Sequence, residues 1–269
     1  MQEKFSLQGA VAIVTGATGL LGQEHCRALA GAGASVVALD LQEQSCQALT
    51  AQLPGNQHLA LTVDVTNKAA LQNARQIILD RFGHIDVLVN NAAINDKFET
   101  PALAAQQSRF EHYPLALWQQ SIAVNLTGVF LAAQVLGSPM VERGKGSIIN
   151  IASTYGIVGP DQSIYRKATD AQAFFKSPAY AVTKGGVLNF TRFLAAYWGP
   201  KGVRVNTLSP GGVRNGQEDW FINNYQQKTL LGRMAEAEDY QGALIFLASE
   251  ASAYMTGANL VVDGGWTAI

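Results

Sequence analysis

Seven apolar, β-rich runs alternate with segments of helical spacing, and no other feature of this chain limits its fold so tightly. The runs are Ala10 to Thr15, Ala34 to Asp40, Leu59 to Asp64, Asp86 to Asn90, Ser147 to Ile151, Val203 to Leu208 and Asn259 to Val262. Between them, Leu20 to Ala32, Ala69 to Phe82, Leu117 to Leu136 and Tyr180 to Trp198 carry apolar residues at helix spacing. Strands that are apolar almost without alternation are buried on both faces, which a parallel sheet between two helical layers provides. Right-handed crossovers then build an α/β fold with a doubly wound, parallel, seven-stranded sheet. At 269 residues, 48% hydrophobic and 14% charged, the chain has material for one such core, and no linker or repeat divides it.

Several classes of function fall away on composition. Nineteen basic residues balance twenty acidic ones without a basic stripe, which argues against a nucleic-acid partner. The start of the chain lacks the basic-then-apolar layout of a secretion signal, and no apolar run approaches a membrane span. Cytoplasmic residence is the expectation. Cys26 and Cys46 are too few for a disulfide framework and read as two buried, reduced thiols. The four histidines are scattered, and none pairs with Cys, Asp or Glu at a metal-ligand spacing.

The first run ends in Thr15-Gly16-Ala17-Thr18-Gly19-Leu20-Leu21-Gly22 and opens a helix. A glycine-rich turn there lets backbone N–H groups approach a pyrophosphate at the helix N-terminus. Asp40 ends the second run, 18 residues beyond Gly22. An acid at that point accepts hydrogen bonds from adenosine ribose hydroxyls and repels a 2′-phosphate, so NAD is expected over NADP. Asp40 could also serve as an N-cap ahead of Gln42 and Glu43, a role compatible with the first. Two long connections, after Asn90 and after Ile151, leave the carboxyl ends of strands, where doubly wound sheets bind ligands.

Tyr180 and Lys184 stand four residues apart in a helical run from Pro178 to Trp198, so they share a face. A phenol is a poor base near neutrality, and a neighbouring cation favours its ionised form. The pair could therefore work as a general acid/base. Alone it reads more readily as a surface tyrosine and a solvated lysine that share a helix face.

Taken together, Thr15–Gly22, Asp64-Val65, Asn90-Asn91-Ala92-Ala93, Val124-Asn125, Ser153, Tyr180 with Lys184, Ser209-Pro210-Gly211 and Val262-Asp263-Gly264-Gly265 resemble the short-chain dehydrogenase/reductase family over nearly the whole chain. The resemblance implies a Rossmann fold over 1-269 as a single NAD(P)-binding domain. It implies Tyr180 as acid/base, Lys184 as ribose ligand and pKa tuner, Ser153 as the group placing the substrate oxygen, and Asn125 as the anchor of a proton-relay water. It places Gly16, Thr18, Gly19, Leu20, Leu21, Gly22, Asp40 and Leu41 along the adenosine and pyrophosphate, and Asp64 and Val65 at the adenine. Asn91, Ala92 and Ala93 would lie along the cofactor, and Pro210, Gly211, Val213 and Asn215 at the nicotinamide. Family members usually form homotetramers through the helix carrying Tyr180 and through the chain's end. No metal is implied.

Four departures from the family pattern bear on these roles. Gly19 stands one position before the usual second glycine, where this chain has Leu20, a spacing more usual in the extended, sugar-nucleotide-modifying branch. Ala93 replaces a glycine, and Asn215 stands where threonine is common. Ser153 and Tyr180 are 27 residues apart, about twice the usual separation. Tyr165 lies nearer the usual distance, but Thr169, not lysine, follows it by four. Tyr180 is therefore the expected acid/base, with 94-115 and 156-178 as inserted loops and 212-235 as a segment closing over substrate.

The insertions carry Lys97, Arg109, His112, Tyr113, Tyr165, Arg166, Lys167 and Lys176, and the closing segment adds Arg214, Asn215, Gln217, Trp220 and Tyr225. Such groups suit a polar, sugar-like or acidic substrate, and equally they could be solvated loop side chains. Two alternatives stay open beside a secondary-alcohol dehydrogenase. One is an NAD-recycling sugar-nucleotide epimerase or dehydratase, suggested by Gly19. The other is a non-catalytic dinucleotide sensor.

Overall fold

The fold was analysed in a computed structural model, which describes residues 2–55, 57–96, 101–169 and 171–269. In chain order the elements begin β1 (Val11–Thr15), α1 (Leu20–Gly31), β2 (Ser35–Asp40), α2 (Glu43–Gln52), β3 (Leu59–Thr62), α3 (Lys68–Phe82) and β4 (Val87–Asn90). They continue α4 (Pro101–Gln107), α5 (Leu115–Ile122), α6 (Val129–Leu136), α7 (Ser138–Arg143), β5 (Gly146–Ile151), α8 (Pro178–Trp198) and β6 (Val203–Pro210). The last are α9 (Asp219–Gln226), α10 (Gln241–Ala248) and β7 (Asn259–Val262). All seven strands pair in parallel in the order β3-β2-β1-β4-β5-β6-β7. The expected doubly wound sheet is therefore the observed one, and the order reverses between β1 and β4.

Why these strands read as unbroken apolar runs is visible in β1. Ala12 and Val14 enter one core with Leu29 of α1 and Leu244 and Leu247 of α10. Val11 and Ile13 enter the other with Leu71 and Ile78 of α3, Leu136 of α6 and Trp198 of α8. Alternate side chains of a strand point to opposite faces, so a sheet covered on both needs apolar residues at every position.

The helices depart from expectation in one informative place. The run read as one helix from Leu117 to Leu136 starts at Leu115 and passes through a π-helical segment, Ala123–Gly128, before α6 and α7 extend the helical stretch to Arg143. Local π turns interrupt otherwise regular helices mostly at functional sites, and this one contains Asn125. The stretch is also long and apolar enough to cross a membrane by length and composition, contrary to the sequence reading. Its apolar face is spent inside the protein, where Ala132, Ala133, Val135 and Leu136 pack in the core shared with α3 and α8.

The two insertions are not structureless. The first, 94-115, contains α4 and a 3-10 turn, Phe110–His112, and the second contains a 3-10 turn, Gln162–Tyr165. The 212-235 segment contains α9. Asp64, read as the end of a strand, lies two residues beyond β3, where its Oδ1 accepts the N–H and hydroxyl of Thr66 in a local turn.

Candidate active site

The glycine turn is built by Thr15 and Asn91. The Thr15 hydroxyl accepts the N–H groups of Asn91 and Ala92, each at 3.1 Å. Asn91 Nδ2 returns hydrogen bonds to the carbonyls of Thr15 (3.0 Å) and Gly16 (2.9 Å). Asn91 thus locks the turn from behind. Gly16 has φ +62°, and a Cβ there would lie 2.7 Å from the Ala92 Cα, so only glycine fits. Gly22 is likewise fixed, because a Cβ would run into the Gly16 carbonyl oxygen. Gly19 is different: it is the N-cap of α1 in extended conformation, and the Gly16 oxygen at 3.4 Å is the only atom a Cβ would meet. The altered spacing is therefore absorbed simply, with α1 beginning at Leu20.

A cleft of about 440 Å³ opens in front of this turn, lined among others by Gly19, Leu20, Leu21, Asp40, Val65 and Ala92. The backbone N–H groups of the first turn of α1 have no intrahelical acceptor, and no side chain caps them. Such a helix start favours an anion such as a pyrophosphate. Asp40 stands at the rim, its Oδ2 accepting the N–H (2.8 Å) and hydroxyl (2.6 Å) of Thr18 and its Oδ1 the N–H of Leu41 (2.7 Å). It does not cap α2, whose N-cap is Gln42. Gly16, Thr18, Leu41, Asp64, Asn91 and Ala93 also line the cleft, and Gly22 supports it from beneath. The residues present fit a dinucleotide.

At the carboxyl end of β5 the chain turns through Ser153. Ser153 is buried, and its Oγ accepts the N–H of Tyr155 at 3.2 Å. Helix α8 begins at Pro178 with Ser177 as N-cap, its Oγ accepting the Tyr180 N–H at 3.3 Å. That start places Tyr180 in the first turn of α8, on the side of Ser153. Burial raises the Tyr180 pKa, and the Ser153 hydrogen bond opposes the rise. One turn on, Lys184 is buried, its Nζ donating to the Ile151 carbonyl at 2.7 Å and standing 5.8 Å from the Tyr180 ring centroid. Burial brings its pKa down to about 8.

A buried polar chain fixes α8 behind these side chains. Asn90 Nδ2 donates to Asn150 Oδ1, Asn150 Nδ2 to Thr191 Oγ1, and Thr207 Oγ1 to Thr191 Oγ1, each at 2.8 Å. Asn125, fully buried, accepts the Ile94 N–H at 2.7 Å through Oδ1 and donates to the Ile94 carbonyl at 2.9 Å through Nδ2. Its amide is thus spent on holding the segment after β4, with a long contact of 3.5 Å to Thr183 Oγ1.

The remaining sequence candidates separate clearly. Pro210 ends β6, and Gly211 donates its N–H to Val262 at 2.9 Å. Val213 bridges to Ala235, and Asn215 is exposed, its N–H given to Gln217 Oε1. Tyr165 is buried in an aromatic cluster against Phe174 and Phe221, its hydroxyl 3.0 Å from that of Tyr155, and burial raises its pKa. Tyr225 lies in the same cluster, stacked on Trp266, with its hydroxyl accepting the Gly212 N–H. Neither is free to meet a substrate. Trp220 donates to Glu218, and Arg109, His112, Lys167 and Arg214 are exposed. Lys97 lies outside the described residues. Among the described insertion candidates, the Lys176 ammonium stands over the Tyr180 ring, and the Tyr113 hydroxyl is 3.0 Å from the Oγ of Ser177, the cap of α8. Asn95 and Asp96, which hold them, were not picked out from sequence.

Comparison with known proteins bears on the fold and the family. A family model described as Enoyl-(Acyl carrier protein) reductase matches residues 16–267. The D-threitol dehydrogenase of Mycolicibacterium smegmatis is 37% identical over 270 residues, covering 98% of this chain and 95% of the relative. A 3-alpha-(or 20-beta)-hydroxysteroid dehydrogenase of Mycobacterium bovis is 37% identical over 262 residues, covering 97% and 91%. Among solved structures, a gluconate 5-dehydrogenase from Burkholderia cenocepacia in complex with NADP and tartrate superposes with a TM-score of 0.85 at 30% identity, covering 100% of this chain and 99% of the other.

Proposed function

The chain belongs to the short-chain dehydrogenase/reductase family, oxidoreductases that use a dinucleotide cofactor on alcohols, and we propose that it is an NAD-dependent dehydrogenase of a polar, sugar-like or acidic secondary alcohol. The observation that carries the reading is the place of Tyr180 in the first turn of α8, on the side of Ser153 at the carboxyl end of β5, with Lys184 buried one helical turn on. Tyr180 exchanges the hydroxyl proton, and Ser153 donates to the substrate oxygen as negative charge gathers there. Lys184 holds the phenol's surroundings positive and binds the cofactor ribose. Asn125 orders Ile94 at the cleft wall and would anchor a relay water linking Lys184 to solvent. The nicotinamide ring, when bound, supplies the acceptor for the carbinol hydride.

Two observations support NAD. Asp40 ends β2 at the rim of the cleft, and a carboxylate there would repel a 2′-phosphate. The adjoining recess of about 500 Å³, past Asp40 toward Gln42, Ser45 and Gln52, is lined by no basic side chain among the described residues. The solved gluconate 5-dehydrogenase holds NADP, so the preference here rests on this chain's own residues. The polar substrate rests on the insertion residues beside Tyr180 and on the relatives that act on threitol and gluconate.

We also propose a cytoplasmic homotetramer of single-domain subunits. Phe193 and Tyr197, stacked at 6.0 Å, and Val182 project from α8 into solvent, as do Leu230, Leu231 and Val261 elsewhere. Light scattering on the purified protein would report four subunits, and a monomer would refute it.

The activity is tested with purified protein, NAD or NADP, and a panel of polyols, sugar acids, steroids and acyl thioesters, followed by absorbance of the reduced cofactor. NADH accumulation with polyols or sugar acids is expected. Turnover confined to steroids or acyl thioesters would sink the substrate assignment. Product without net NADH would point to an epimerase or dehydratase, and binding without turnover to a sensor.

A further inference from the structure

Lys176 has no part in the proton chemistry described, yet it lies closer to the Tyr180 ring than Lys184 does. Its Nζ is 4.3 Å from that ring centroid and 5.8 Å from the centroid of Tyr155. The same Nζ donates to Asn95 Oδ1 at 2.9 Å, joining the second insertion to the first directly over the phenol. The neighbouring Asp96 accepts from the Tyr113 hydroxyl at 2.5 Å. That hydroxyl is 3.0 Å from Ser177 Oγ, the cap of α8. A polar ring therefore closes around the first turn of α8, with an ammonium facing Tyr180.

The energetics make this lysine conspicuous. An ammonium has three donors and no acceptor. One donor goes to an amide oxygen, and Lys176 makes no ion pair among the described residues. Burial among aromatic rings lowers its pKa to about 8, while the Asp96 charge acts the other way. Cation–π contact returns about 0.5–2 kcal/mol. A leucine or methionine would cover the same rings without desolvating a charge. A half-buried ammonium over the acid/base, with two of its three donors uncommitted to protein acceptors, is placed for a ligand that balances its charge.

We propose that Lys176 binds a carboxylate borne near the reacting carbinol and so selects hydroxy acids of the sugar type over neutral polyols. This rests on Tyr180 being the acid/base. A carboxylate offers the ammonium a charge-assisted hydrogen bond and neutralises it, whereas a polyol hydroxyl supplies an acceptor and no charge. Because Lys176 and Tyr180 are fixed to each other, the same contact sets which carbinol meets the phenol.

The test compares wild type, Lys176→Met and Lys176→Arg on D-gluconate and D-sorbitol, a matched acid and neutral pair, with NAD. Lys176→Met should lower the gluconate-over-sorbitol ratio of kcat/KM by about 10–100-fold, chiefly through the gluconate KM. Lys176→Arg, which keeps the charge, should restore most of it. Calorimetric titration of gluconate into the enzyme–NADH complex should show the same loss without turnover. Equal losses on both substrates, or a kcat loss with a displaced pH profile, would mean that Lys176 acts on Tyr180 and would overturn substrate recognition. Gluconate that binds the wild-type complex but not Lys176→Met, yet is never oxidised, would sink the activity and sustain the binding site. Gluconate that binds neither protein overturns the site.

Discussion

The carboxylate of Asp40 is bound to Thr18 twice, Oδ2 accepting both the backbone N–H at 2.8 Å and the hydroxyl at 2.6 Å. With Leu41 N–H on Oδ1, three of roughly four acceptor sites are used, leaving about one for a ribose hydroxyl. Asp40→Ala removes that acceptor and its negative charge, and frees two Thr18 donors for an anion. The kcat/KM ratio of NAD over NADP should fall by about 10–100-fold, with the NAD KM rising. Initial rates with both cofactors decide it, and an unchanged ratio counts against Asp40 as the discriminating residue.

Gly16 and Gly19 lie in one turn but answer to different constraints. Gly16→Ala forces an alanine to φ +62° against the Ala92 Cα, a strain of at least ~1–2 kcal/mol. Its Tm should fall by about 2–8 °C in a chain of this size. Gly19→Ala meets only the Gly16 oxygen at 3.4 Å, so Tm should hold within about 2 °C. Its added methyl lines the cleft and should weaken dinucleotide binding by about tenfold or more. Calorimetry and thermal melts on both variants separate the cases. A destabilised Gly19→Ala would make this glycine a packing residue.

Tyr180→Phe keeps the ring under Lys176 and deletes the hydroxyl assigned to proton exchange. Turnover should drop about 10²–10⁴-fold with cofactor affinity nearly intact. Tyr165→Phe deletes a hydroxyl that meets only Tyr155 among its hydrogen-bond partners. It should cost about 1–3 kcal/mol of stability and leave kcat within a few-fold. The reverse outcome, activity lost in Tyr165→Phe and kept in Tyr180→Phe, would invalidate the choice of Tyr180.

The sheet was legible because its physics is local: a strand buried on both faces is apolar at most positions, as β1 is from Val11 to Val14, and the buried polar residues of β5, Ser147 and Asn150, each have a hydrogen-bond partner. The glycine turn was legible for the same reason, since Gly16 answers to its own φ. What the sequence concealed depends on distant partners. Asn125 was read as a water anchor, and nothing near it in the chain reveals that its amide would close on Ile94, 31 residues earlier. The π segment around it leaves no trace in the apolar spacing of Leu115 to Leu136. Lys176 was one of eight side chains on two insertions. Only the pairing of those insertions through Asn95 distinguishes it from Lys167 in solvent.

His25 on α1 should add to the acid sensitivity of this fold. It is fully buried, neither ring nitrogen has a protein partner, and burial alone brings its pKa down to about 4 from 6.5. The unfolded chain therefore binds a proton that the native state refuses between pH 6.5 and pH 4. Stability rises with pH wherever the unfolded state holds more protons, so it is full above about 6.5 and is lost progressively on acidification toward 4. A shift of that size corresponds to about 3 kcal/mol. Replacing His25 by leucine removes the titration and any unpaired ring nitrogen together, so His25→Leu should flatten the profile across this window. Urea unfolding at several pH values from 4 to 8 provides the check. Parallel acid profiles for wild type and His25→Leu would assign the acid sensitivity to the carboxylates instead.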